Sequence, residues 1–122
     1  MSGTTSGVQF RPNGHDTDLI VYRGKSLSFE VVWGGASPID ITGHTAALRA
    51  RAYNGKPLLE LSTANGGIAN GGPTGKLSLT ASPATTRSID SPGFYELELI
   101  APNGSVYRVI SGKLSFEEEV AI

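Results

Sequence analysis

The chain has 122 residues, a formal net charge of −1 and no cysteine. That length suits one domain able to bury a core without staples. The absent thiols exclude disulfides and thiolate metal sites, and the near-neutral charge excludes a global basic field for nucleic acid. No stretch approaches the ~18 apolar residues of a membrane span. MSGTTSGVQF at the start has neither a basic nor an apolar region, so no signal peptide is expected there. Sixteen glycines and seven prolines fall between apolar runs, as the turns of a β protein do.

Residues 1–17 read as a Gly/Ser/Thr-rich arm whose apolar side chains are Met1, Val8 and Phe10. Too little hydrophobic surface is present for it to bury itself, so alone it is expected to be a flexible arm; it reads either as a disordered terminus or as an arm that orders against a neighbouring subunit. Val8, Phe10 and Arg11 are the candidate contacts. The remaining residues, 18–122, form the expected domain. DLIVYR (18–23) reads as a first strand. SLSFEVVW (26–33) puts Leu27, Phe29, Val31 and Trp33 on one face and Ser26, Ser28, Glu30 and Val32 on the other, the period-two pattern of a half-buried strand. IDIT (39–42) reads as a short strand. HTAALRARAY (44–53) alternates Ala46, Leu48, Ala50 and Ala52 against Thr45, Arg49, Arg51 and Tyr53. PLLELS (57–62) follows, then a glycine-rich loop over 63–75, then KLSLT (76–80).

SPATTRSI (82–89) predicts one short helical turn, with Ser82 as cap and Pro83 at the first helical position. The chain then offers a hairpin. Tyr95, Leu97 and Leu99 share one face, and Phe94, Glu96, Glu98 and Ile100 the other. Asn103-Gly104 supplies the positive-φ turn. The return strand puts Val106, Ile110, Leu114 and Phe116 on one side, with a bulge expected at Gly112. About eight strands separated by frequent turns predict an all-β fold. An immunoglobulin-like antiparallel β-sandwich is favoured over a closed barrel.

Chemistry-bearing patterns are sparse. Gly71–Lys76 has the glycines of a phosphate loop but the wrong spacing, and a strand rather than a helix follows. His15, Asp16 and Asp18 sit in the arm and read as solvated. There is no GxSxG, HExxH or EF-hand loop, and the two histidines have no recognisable catalytic partner. Glu96 and Glu98 are expected to flank a sheet edge or to meet lysine or arginine. Arg49 and Arg51 share an outward face with Tyr53 beyond them. Guanidinium groups bind carboxylates and stack on rings, so these three are candidate protein-contact residues.

Five segments in order carry a resemblance: DLIVYRGKSLSFEVVW, IDITGHTAALRARAY, LLELSTANGGI, GKLSLTASPATT and GFYELELIAPNGSVYRVISGKLSFEEEV. Together they resemble small tailed-bacteriophage virion proteins with an immunoglobulin-like domain, and are similar to the amino-terminal domain of siphophage upper baseplate proteins. Ile41 stands where leucine is usual and His44 where an aromatic is usual. The resemblance implies a non-enzymatic structural protein of the virion, assembled in the bacterial cytoplasm and placed in the tail, baseplate or a tail-fibre adaptor. Its implied partners are other virion proteins and copies of itself. It implies no cofactor, metal, nucleic acid, membrane or small-molecule substrate. Capsid decoration and a host carbohydrate-binding module are the alternative roles.

Overall fold

The computed structural model describes residues 8–10 and 17–118. Nine strands run in chain order: β1 Val8–Phe10, β2 Thr17–Tyr22, β3 Leu27–Val32, β4 Thr45–Ala52, β5 Pro57–Ser62, β6 Ile68–Asn70, β7 Lys76–Ala81, β8 Gly93–Ile100 and β9 Val106–Glu117. They form an all-β sandwich of two sheets, one of six strands in the order β1-β2-β9-β8-β4-β5 and one of three in the order β3-β7-β6. The described pairings are antiparallel except β2 with β9, which run parallel from Leu19 opposite Leu114 to Tyr22 opposite Glu117.

Period two determines what lies between the sheets. Leu27, Phe29 and Val31 of β3 and Leu77, Leu79 and Ala81 of β7 face Leu48 and Ala50 of β4, Tyr95, Leu97 and Leu99 of β8, and Ile110 and Leu114 of β9, all in one buried cluster. β4 is a strand despite its alanines, because these small residues form a low inner row against which the facing sheet packs. The expected helical turn is α1, Pro83–Arg87, with the Ser82 hydroxyl accepting from the Thr85 backbone N–H at 3.2 Å.

Four local expectations are corrected. The segment 39–42 pairs with no strand: the Asp40 carboxylate accepts from the Thr42 N–H at 2.9 Å and its hydroxyl at 2.6 Å, which bends the backbone into a turn while Ile41 still fills the core. The 63–75 loop contains β6, recruited because Ile68 reaches the core and pairs with Leu79, and a 3-10 turn at Gly72–Thr74. The hairpin turn takes its positive φ only at Gly104, with no positive φ at Asn103. Here the Gly104 N–H donates to the Ala101 carbonyl and the Ala101 N–H to the Ser105 carbonyl, a longer loop than a two-residue reversal.

The fourth correction concerns β9. Its bulge lies where Leu97 pairs with Ile110 and Glu98 with Arg108, so that Val109 is the extra residue. The phase flips there. Val106 is therefore outward and 56 % exposed, while Tyr107 takes the inward phase and packs on the partly buried Trp33, centroids 6.0 Å apart. Gly112 instead admits β2: a Cβ there would overlap the carbonyl oxygen of Thr17. Thr17 itself is buried in β2, and its carbonyl accepts from the Tyr95 hydroxyl at 2.5 Å. A boundary drawn after residue 17 thus cuts into β2, and β1, taken as part of the arm, pairs antiparallel with β2.

Candidate protein-contact face

The outer side of the six-stranded sheet carries a cluster of charged side chains from β4, β5, β8 and β9. Outward residues of β4, β8 and β9 fall into cross-strand rows because the register is fixed: Arg51, Phe94 and Lys113 form one, Arg49, Glu96 and Ser111 the next, and Ala47, Glu98 and Arg108 a third. Arg49 bridges both neighbouring strands, its Nε donating to the directly opposite Glu60 of β5 at 3.2 Å and one terminal nitrogen to the diagonal Glu98 of β8 at 3.5 Å. Arg108 Nε donates to Glu96 at 2.6 Å. The two glutamates therefore meet arginines, as their alternation suggested. Such exposed pairs contribute ~0.2–1 kcal/mol each, so they order the surface more than they stabilise the fold.

Arg49, Arg51 and Tyr53 come together as expected. Tyr53 lies just past the end of β4, 62 % exposed, and its ring meets Phe94 edge-on at 4.9 Å. Phe94 is itself 53 % exposed. Beside them Arg49, Arg51, Phe94, Glu96, Arg108 and Lys113 border a shallow concavity of about 590 Å³, which also reaches Asp18 of β2, Tyr95, Ser111 and Gly112. Val8 and Phe10 have backbone register opposite Leu19 and Thr17, but their side chains lie outside what is described, as do Arg11, His15 and Asp16.

Phe94 and Lys113 were missed as contact candidates. The alternation of 94–100 already put Phe94 beside the glutamates. Its neighbours Arg51 and Lys113 become visible only through cross-strand register, and the face of Lys113 depends on where β9 bulges.

Elsewhere the polar groups act locally. Asn70 Nδ2 donates to the carbonyls of Ile41 and His44, both at 2.9 Å, tying the 39–44 segment to β6. Arg23 pairs with Glu118, donates to the Arg87 carbonyl at 2.8 Å and lies 5.6 Å from the Phe116 ring centre. Among the described residues no group of three His, Cys, Asp or Glu could hold a metal ion, and no helix is long and apolar enough to cross a membrane.

Two exposed carboxyls titrate below their ordinary value of 3.8. Asp40 is held there by the Thr42 hydroxyl and N–H. Asp90 is held there by the Lys56 ammonium, which donates to both its oxygens at 3.0 and 2.8 Å. A carboxylate whose folded value is depressed adds stability above its unfolded value and loses it as pH falls through the folded one. Asp90→Asn is therefore expected to give a small destabilisation at pH 7 that fades below about pH 4, the unfolded carboxylate range. Urea unfolding of both chains at pH 7 and pH 3 checks it; a gap that widens in acid contradicts this assignment.

No protein-family model matches the chain, and no curated protein matches it either.

Proposed function

We propose that the chain is a non-enzymatic structural subunit of a tailed-phage particle, built into the tail or baseplate and held by its neighbours. The observation that carries the reading is the outward side of the six-stranded sheet, where an exposed aromatic pair, Tyr53 and Phe94, stands among cross-strand ion pairs. Aromatic and arginine side chains are the residues that protein interfaces favour, and a paired sheet holds them rigidly, so little ordering entropy is lost on contact. The ordered segments that carry the phage-protein resemblance supply the particle context.

Immunogold electron microscopy of particles bearing a tag on the carboxyl terminus of this chain tests the proposal. Gold at the tail tip or baseplate is the expected result. Gold spread over the head would move the subunit to capsid decoration. Particles without gold, from cells that make the tagged chain in soluble form, would overturn the structural role.

A further inference from the structure

The charges on the outer sheet face do not cancel evenly. Glu60 and Glu98 are taken by Arg49, and Glu96 by Arg108. That leaves the row Arg51–Phe94–Lys113, in which, among the described residues, Arg51 donates to the Gly55 carbonyl at 3.4 Å and Lys113 has no ion-pair partner; Asp18 borders the same concavity, so its cations Arg49, Arg51, Arg108 and Lys113 outnumber its acids Asp18 and Glu96. Arg51 and Lys113 are both exposed, and the half-exposed Phe94 ring lies between them with Tyr53 against its side. The adjoining concavity of about 590 Å³ falls inside the roughly 300–1,000 Å³ range of ligand sites.

We propose that this cation–phenyl–cation row is a docking site for an acidic, extended segment of a neighbouring protein, with the pattern acid-x-apolar-x-acid. The proposal rests on the reading of the chain as a subunit held by its neighbours and names the chemistry of one such neighbour. Charge complementarity and spacing select the occupant. Arg51 and Lys113 stand two strands apart, about 10 Å between backbones at the usual strand spacing. In an extended peptide, residues four apart point the same way and lie about 13 Å apart. Long arginine and lysine side chains leaning outward close that difference. The central apolar residue then falls on Phe94 and Tyr53. A guanidinium takes one carboxylate bidentately and an ammonium takes the other as a point charge. An isolated carboxylate would use one end of the row and leave the ring uncovered. A nucleic-acid backbone would have to pass Glu96 and Glu98, which interrupt the basic surface.

The test is an NMR titration of the purified, 15N-labelled chain with the heptapeptide GESLSEG. Amide shifts are expected to cluster at Arg51, Tyr53, Phe94 and Lys113. The combined variant Arg51→Gln with Lys113→Gln is expected to bind about tenfold more weakly, as the loss of two exposed ion pairs implies. Its unchanged spectrum away from the row serves as the folding control. Raising salt to about 0.5 M, where screening acts within several ångströms, is expected to weaken binding similarly. Equal shifts with GQSLSQG, no shifts in the row, or undiminished binding by the variant would overturn the proposal. So would inorganic phosphate reproducing the shifts, or the same amides shifting with chain concentration alone, which would mark a contact between copies. The titration uses no particles. Gold-labelled particles together with a silent titration would therefore overturn this proposal and leave the structural role standing.

Discussion

Phe29→Ala is expected to remove about 3–5 kcal/mol of folding stability, the range for truncating a buried aromatic. Phe29 sits in the middle of β3, 1 % exposed and directly opposite Leu79 of β7. Its ring fills the space between the sheets, with the small β4 residues Ala46, Ala50 and Ala52 in the same cluster. Alanine at Phe29 would put a methyl group where a ring was, and strands held by ladders on a neighbouring strand cannot collapse onto the void. Domains are stable by only about 5–15 kcal/mol, so the loss is a large fraction of the total. Urea unfolding followed by Trp33 fluorescence measures it, with the midpoint falling and the slope unchanged. Val32→Ala, on the outer face of the same strand, is the control and should cost under about 1 kcal/mol. Comparable losses for the two variants would mean that β3 is turned the other way.

Gly93→Ala is expected to cost about 3 kcal/mol, the upper end of the range for forcing atoms into a filled site. The cause is space and not backbone angle. A Cβ at Gly93 would overlap the carbonyl oxygen of Arg51 and come within 2.8 Å of the Ala52 Cα. Gly93 is paired with Ala52 on one side and Leu114 on the other, so β8 cannot move off β4 without straining β9. Hydrogen exchange should show the loss first in the amides of β4 near Ala52. If Gly93→Ala matches the parent within about 0.5 kcal/mol, as surface changes do, β4 and β8 do not approach as described. The same variant tests the aromatic corner, because Phe94 follows directly and its row with Arg51 depends on this register.

Alternation alone made the core strands legible. In β3, β4, β7 and β8 the apolar positions read from the sequence are the ones buried, because a pleated strand sends successive side chains to opposite faces whatever its partners. The helical turn at 83–87 was equally legible, since its Ser-Pro start carries the cap and the preset φ within two residues. The misreadings share another cause. Val106 was placed inward because periodicity was extrapolated past Val109, and a bulge leaves no necessary mark on one strand's pattern; it is a relation between two. Gly112 looked like a bulge for the complementary reason: a glycine signals close approach without saying of what, and here it is the β2 backbone at Thr17.

The contact face divides along the same line. Arg49, Arg51 and Tyr53 share an outward face by their spacing on one strand, and a single sequence suffices to find them. Phe94 and Lys113 join them through hydrogen-bonded register between segments some 40 and 60 positions further along the chain. The sequence by itself determined the all-β class, the identity of most inward side chains and the helical cap, all of which depend on neighbours within a few residues. The tertiary structure alone decided the strand order, the parallel pairing of β2 with β9, the bulge and the row Arg51–Phe94–Lys113, because each depends on which distant backbones share a ladder.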